Sequence, residues 1–381
     1  MLPSDRNAHS REAALPDVDV AILGGGCAGL SVAARLSNTT LSFRVIEPRH
    51  TYSDDRTWSF WRTGPDPFVD CVRATWSRWT VAGPRGTVTR TSRRHPYQSV
   101  QAGAFYARAL AMIDAAPGGS LAGGVSASAV TAGPTGVTIA TSDGGFTATH
   151  VIDARPPRRP VGFGQFFLGR EIVTDGAVFD PETVPLMHFR SGHSTGVDFL
   201  YVLPFARDRA LVEVTSFAAE APTRAALAGW LDAEIAACGT GRHTVLREEG
   251  GVLPMEVGYH DPADGPVTRI GLAGGAARPS TGYAFQRIQA QSEAVVRSLL
   301  REGVPRVPKD SAICRFMDGV FLRVLQTAPE RGPALFDSLF RSTPPDRLER
   351  FLSGSTQASD RVSVMASLPT MPFLRAATGW T

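Results

Sequence analysis

Apolar and polar positions alternate with three different rhythms along the chain. Near the start, Val18–Leu23 (VDVAIL) is an apolar run of strand length. The small and apolar residues of Leu30–Leu36 then read as a helix, and Leu41–Ile46 as a second strand that ends at Glu47. Together they predict a βαβ unit of about 30 residues. In the middle of the chain, Gly136–Ala140 and the run to Ala154 read as a hairpin ending in a strand, which the proline-rich Arg155–Pro160 breaks. Four alternating segments follow: Gly164–Val173, Leu186–Phe189, Phe199–Pro204 and Ala210–Phe217. Short strands at this spacing predict an antiparallel sheet. Arg269–Gly275 (RIGLAGG) predicts a short strand and a glycine-rich turn, with a long helix from about Tyr283. Ser311–Leu325, Gly332–Phe340 and Arg347–Phe351 predict an arginine-rich helical tail. No apolar run is long enough for a membrane-spanning helix.

These rhythms predict an α/β architecture with an inserted sheet. The expected divisions are a flexible N-terminal segment (1–17), the first part of a dinucleotide-binding region (18–155), a β-sheet substrate domain (156–265), the second part of the binding region (266–300) and a helical C-terminal region (301–381). The opening segment is polar and lacks an apolar h-region, so no secretory signal is expected.

The glycines of the first unit have separate tasks. Gly24 permits a tight turn, Gly26 lets the backbone approach a pyrophosphate, and Gly29 allows the helix to pack on the strand. The helix N-terminus then presents free N–H groups to phosphate. Glu47 follows about 20 residues after the first glycine, where an acid grips ribose hydroxyls. The late element with Gly274 and Gly275 repeats the strand–glycine–helix order. Sites that take FAD in two parts use such a repeat, so FAD is expected rather than NAD.

Composition narrows the function classes. With 381 residues, 43% hydrophobic and 20% charged, the chain can bury a core in two or so domains. A formal net charge of +3 argues against a nucleic-acid partner. Lys309 is the sole lysine among 39 basic residues, so arginine carries the positive charge. Cys27, Cys71, Cys238 and Cys314 lie far apart and the histidines are scattered, so neither a metal site nor a disulfide framework is expected. A reducing, cytoplasmic setting fits.

Several separated motifs resemble those of the bacterial lycopene β-cyclases. Arg56–Trp61 (RTWSFW) is similar to the family's HTWSF segment, and Tyr97–Val100 with Phe105 to its YRSV–F stretch. Val151–Arg155 resembles VxDAR, Gln165–Glu171 resembles QxFxGxE, and Arg278–Tyr283 (RPSTGY) resembles HPTTGY. Phe316-Met317-Asp318, Arg350-Phe351-Leu352 and Met371-Pro372-Phe373 follow the family's C-terminal pattern. Arginine replaces the family's histidine at both Arg56 and Arg278. The resemblance implies a glutathione-reductase-type FAD-binding fold with an inserted antiparallel substrate domain. It implies flavin contacts at Arg56, Thr281 and Gly282. It also implies reduced FAD with NAD(P)H as reductant, and a carotenoid substrate such as lycopene. The setting it implies is cytoplasmic and peripheral to a membrane surface, with other carotenoid-pathway enzymes as partners.

Ring closure on a hydrocarbon needs a proton donor, because the substrate has no polar handle. A carboxyl on an apolar surface keeps its proton near neutral pH, since burial disfavours the charged form. Glu213 is that candidate: Leu211, Glu213 and Thr215 share one strand face, Val212, Val214 and Ser216 the other. The family carries its essential acid in a strand of this kind. Glu171 is a second acid in an apolar strand. Trp58, Phe60 and Trp61 either offer aromatic faces to a cation or pack as core. The alternative expectation is an FAD-dependent monooxygenase or desaturase of a lipophilic substrate, since one fold supports many chemistries. A third is a flavoprotein that binds carotenoid without turnover.

Overall fold

The computed structural model describes residues 15–378, apart from 66, 134–135, 263–265 and 355–356. Most of the expected N-terminal segment therefore lies outside the described residues. The first third comprises β1 (Val18–Leu23), α1 (Cys27–Leu36), β2 (Phe43–Glu47), β3 (Thr57–Trp61), β4 (Val72–Trp76), β5 (Arg78–Gly83), β6 (Gly86–Thr91), β7 (Tyr97–Gln101) and α2 (Ala102–Asp114). Next come β8 (Gly119–Gly123), β9 (Ala127–Gly133), β10 (Gly136–Thr141), β11 (Gly144–Asp153), β12 (Gly164–Thr174), β13 (Thr183–Arg190), β14 (Val197–Ala206) and β15 (Arg209–Ala218). The remainder is α3 (Arg224–Ala237), β16 (His243–Pro254), β17 (Val267–Arg269), α4 (Phe285–Glu302), α5 (Ala312–Thr327), α6 (Gly332–Ser342), α7 (Pro345–Leu352), α8 (Ala358–Ser367) and α9 (Thr370–Thr378).

The first sheet has the order β8-β2-β1-β11-β10-β9, with β17 beside β11. Strands β8, β2, β1, β11 and β17 run parallel; β10 and β9 form an antiparallel hairpin extension. Helix α1 is small-residue-rich because it is buried on most sides, between the sheet and α4. Parallel strands buried in this way need apolar side chains throughout, which is why β1 reads as a continuous apolar run.

The second sheet has the order β16-β12-β15-β14-β13-β5-β6 and is antiparallel except where β13 meets β5. Its strands come from two separated stretches, because β5 and β6 precede the first sheet's β8–β11 in the chain. One face packs on α3 through Leu168, Val212, Val214, Trp230 and Leu231. The opposite face packs on the C-terminal helices through Trp79, Val81, Leu335, Phe336 and Leu339. The small β3-β7-β4 sheet lies between these two layers in the chain's core, with Phe60 and Val100 in the first sheet's cluster and Trp61 and Tyr97 in the second's.

Candidate active site

A cavity of about 1200 Å³ runs from the C-terminal ends of the parallel strands to the inner face of the antiparallel sheet. Ligands in α/β proteins bind at this edge of the sheet because loops and helix N-termini converge there. At the first end the wall is formed by Gly24, Gly26, Cys27, Glu47 and Arg49. Gly24 has φ +96°, a left-handed turn that a side chain resists. Gly26 caps α1 in ordinary extended backbone, and a Cβ there would meet no atom within 4 Å. Nothing in the chain's own packing requires glycine at 26, so the open space in front of the helix N-terminus fits a phosphate-bearing group. Glu47 accepts from the Gly25 N–H at 2.6 Å and from Arg49 Nε at 2.8 Å. Burial pushes its carboxyl up, but these donors outweigh burial and hold it below the usual range.

The middle of the cavity is walled by Arg56, Thr57, Trp58, Gly271, Leu272, Thr281, Gly282 and Phe285. Arg56, Thr281 and Gly282 are thus brought together with the first element. Gly274 and Gly275 are not: they stand behind the wall, and Gly271 and Leu272 occupy it. A Cβ at Gly274 would lie 2.4 Å from the Arg269 carbonyl oxygen, so this glycine serves packing. The aromatic trio also divides. Trp58 faces the cavity and stacks on Phe285 at 5.5 Å, whereas Phe60 stacks on Phe285 from behind. Trp61 is core, set among Trp79, Tyr97 and Tyr283. Asp153 ends β11 under Arg155 and Arg269 at 2.8 and 2.7 Å, as strand-end support.

The far end is apolar and aromatic, with Tyr97, Leu186, Phe199, Tyr201, Phe217, Phe336 and Leu352 on the wall. Glu213 projects into it from β15, 7% exposed, directly opposite Tyr201 of β14. Its Oε1 accepts from the Thr215 hydroxyl at 2.9 Å. Burial, and then the neighbouring negative charge of Glu249, push its pKa up to about 8, against the lowering effect of Thr215. Glu213 is therefore a neutral acid at neutral pH. The hydroxyls of Tyr97 and Tyr201 pair at 3.0 Å beside it.

Glu171 shares the inward face of the second sheet but does not reach the cavity wall. It is 1% exposed and is gripped by Arg73, Arg209 and Arg247 at 2.7, 2.6 and 2.9 Å. Burial alone raises such a carboxyl, but the three guanidiniums reverse this, Arg73 foremost, and hold it at about 2. This ion cluster ties β4, β12, β15 and β16 together. Glu171→Gln should destabilise the fold by about 3–5 kcal/mol, because it leaves buried cations without their anion. Denaturant midpoints at pH 7 measure this. The carboxylate's contribution is complete above pH 4.5 and is lost as pH falls towards about 2, so the wild-type and Gln midpoints should approach each other in acid. Equal midpoints at pH 7 would show that the cluster is not structural.

Sequence reading missed Glu249, which is 4% exposed and sits on the cavity wall. Its strand β16 has an inverted pattern: Val245, Leu246 and Val252 are exposed while Glu249 is buried. Hydrophobic alternation cannot find a strand that turns polar residues inward. The only sequence signal was the charge–glycine run Arg247–Gly251, which reads equally well as a loop.

Comparison with known proteins agrees with this geometry. The family described as lycopene cyclase protein matches residues 19–378. The lycopene β-cyclase of Paracoccus sp. strain N81106 is 31% identical over 253 residues, covering 58% of this chain and 60% of that protein. The match to the chloroplastic lycopene β-cyclase of Arabidopsis thaliana likewise spans 60% of the relative's length. The lycopene β-cyclase of Pseudescherichia vulneris is 27% identical over 93% of this chain and 95% of its own. Among solved structures, a geranylgeranyl bacteriochlorophyll reductase-like protein of Thermoplasma acidophilum superposes with TM-score 0.62 at 15% identity, covering 95% of this chain and 96% of its own. The flavin-dependent monooxygenase PieE, solved with FAD and substrate, gives 0.56 at 13% identity, covering 96% of this chain and 73% of its own. These two show a shared fold.

Proposed function

The chain belongs to the lycopene cyclase family, and we propose that it is an FAD-dependent lycopene β-cyclase that turns the linear ends of lycopene into β-ionone rings, giving γ-carotene and then β-carotene. The observation that carries this reading is the buried carboxyl of Glu213 in the apolar end of a cavity whose other end is a phosphate-type cradle. A buried proton donor against an apolar wall is what proton-initiated ring closure of a hydrocarbon requires.

Gly24, Gly26 and Glu47 would hold the adenosine diphosphate half of FAD, with Gly29 seating α1 against the end of β1 behind them, and Gly271, Thr281 and Gly282 would border its other half. Bound there in the reduced form, with NAD(P)H as reductant, FAD supplies fixed negative charge to a water-poor site where a cation develops. The remaining work falls to the chain. Leu186, Phe199, Phe217, Phe336 and Leu352 exclude water and bury the polyene end. Glu213 donates its proton to the terminal double bond. The neighbouring double bond closes the ring on the resulting cation, and the aromatic faces of Trp58, Tyr97 and Tyr201 attract that charge. A ring proton then leaves, so one proton enters, one departs, and no electrons are transferred overall.

A hydrocarbon of this kind resides in a membrane, and the C-terminal helices offer a surface for it. Ile313 and Phe316 on α5 and Met371 and Leu374 on α9 are exposed, and these two helices touch. Arg315 and Arg375 are exposed beside them, a mixture that suits an anionic interface. Among the described residues no helix is long and apolar enough to cross a membrane. The proposed placement is peripheral.

The test is to produce the chain in bacteria that accumulate lycopene, then to separate the pigments and fractionate the cells. The expected result is γ-carotene and β-carotene, with the protein in the membrane fraction. Unchanged lycopene beside flavin-loaded protein would overturn the cyclase reading. Full recovery from the soluble fraction, with rings still formed, would overturn only the membrane placement.

A further inference from the structure

Besides Glu47 at the cradle end, two buried carboxyls of the second sheet face this cavity, and the proton entry described above uses only one. Glu213 on β15 and Glu249 on β16 both pair in register with Gly169 of β12, from opposite sides. Their Cα atoms are therefore two strand spacings apart, about 10 Å. Gly169 keeps the space between them free. A Cβ there would lie 3.2 Å from the Glu213 Cβ and 3.2 Å from Leu211 Cδ1, so a side chain would crowd the gap. The two carboxyls look across a floor with no side chain on it.

Their surroundings differ in kind. Glu213 accepts from a hydroxyl, that of Thr215. Glu249 is backed by a cation: its Oε2 accepts from Arg247 Nη1 at 2.6 Å and from the Thr57 hydroxyl at 3.1 Å. Arg247 is itself fixed by Glu171 at 2.9 Å, which gives that distant acid a positioning role. Two titratable groups in one site with unlike environments divide into acid and base. Burial first pushes Glu249 up and Arg247 opposes it, which leaves a carboxylate that binds a proton more readily than one in water.

We propose that Glu249 is the base of the cyclisation, taking the ring-carbon proton that leaves after closure, while Glu213 supplies the proton that starts it. The inference rests on the cyclase reading above. The Glu213 O–H bond breaks and a C–H bond forms at the inner carbon of the terminal double bond, which leaves a tertiary cation on the dimethyl end carbon. The π electrons of the neighbouring double bond make the ring C–C bond. The ring C–H bond then breaks, its electron pair becomes the ring double bond, and the proton goes to a Glu249 oxygen. Transfer of one proton back to Glu213 resets the pair.

The experiment uses the full, flavin-loaded chain with lycopene in vesicles, in D2O. It reads ring formation, ring type, and deuterium in the lycopene that is recovered. The wild type should add one deuterium per ring and leave recovered lycopene largely unlabelled. Glu249→Gln still forms the cation but cannot deprotonate it in the ordinary way. Ring formation should fall by about 100-fold or more, and recovered lycopene should carry deuterium as the cation returns its proton to Glu213. Rings that do form should include more of the types that lose a different proton. Rings of wild-type type and rate would overturn the assignment. So would lost rings with unlabelled lycopene, since the cation would then not be forming. If the Gln variant does not accumulate with bound flavin, Glu249→Asp is measured in its place. Slower rings with labelled lycopene support the assignment, and wild-type behaviour overturns it. A wild type that makes no rings overturns the cyclase reading itself, and this inference with it.

Discussion

Glu213→Gln should lower ring formation by about 10²–10⁴-fold, the usual worth of a positioned proton donor, while the protein keeps its flavin. The amide retains the shape of the carboxyl but has no proton to give. Glu213→Asp should recover only part of the rate, because the shorter side chain withdraws the acid from the cavity. In the wild type, ring formation should fall roughly tenfold per unit above about pH 8, as the carboxyl ionises. The same substitution should change stability in the opposite sense to activity. Folding raises this acid from 4.5 to about 8, so between those values the folded state holds a proton that the unfolded state has released. Stability therefore declines as pH rises through that window, by on the order of 3–5 kcal/mol in all. The Gln variant lacks this loss, so at pH 9 it should melt above the wild type, and the difference should shrink as pH falls towards 4.5. An inactive variant that is more stable in alkali identifies an acid kept for chemistry. Equal turnover in the two proteins would remove Glu213 from the mechanism.

The readable parts of this chain were those whose physics is local. Strand β1 is apolar at nearly every position because it is covered on both faces, and Gly24 after it sits in a left-handed turn that few side chains permit. The alternation in β12, β14 and β15 showed a sheet with one apolar and one mixed face, and it placed Glu213 on the mixed one. Strands β5 and β6 were not legible. They join the second sheet across long sequence separations, and pairing of that kind leaves little mark on local pattern. Glu249 was hidden for a different reason. Its strand buries charge against the Arg247–Glu171 cluster, so the rule that apolar residues point inward fails where the site is built. Glu171 was readable as an unusual acid but not as an ion-cluster centre, because Arg73, Arg209 and Arg247 come from three other strands. Gly274 and Gly275 show the limit of motif reading: the glycine-rich turn was found, yet its cavity-facing residues are Gly271 and Leu272, at the turn's other end.

Gly26→Val should give a folded protein without flavin, and Gly29→Val a protein that loses both flavin and fold. The two glycines lie three residues apart in one motif, but they are required for different reasons. At Gly29 a Cβ would stand 1.9 Å from the Gly24 carbonyl oxygen and 3.3 Å from the Ala154 Cβ. No rotamer relieves a clash made by the first side-chain atom, so α1 must move off the end of β1 and the buried Leu30, Val32 and Ala33 lose their packing. At Gly26 the backbone is extended and an added Cβ meets nothing within 4 Å, which leaves an open side for valine's methyl groups. They would instead fill the space before the helix N-terminus, where a pyrophosphate would meet backbone N–H groups and the positive end of the helix. Flavin absorbance per mole of protein, read beside a thermal melt, separates the two effects. Gly26→Val should melt within a few degrees of the wild type and carry less than a tenth of its flavin, with ring formation lost to match. Full flavin content in Gly26→Val would mean that the dinucleotide lies elsewhere. The glycine at 26 would then have no explanation in this structure, because neither its backbone nor its neighbours need one.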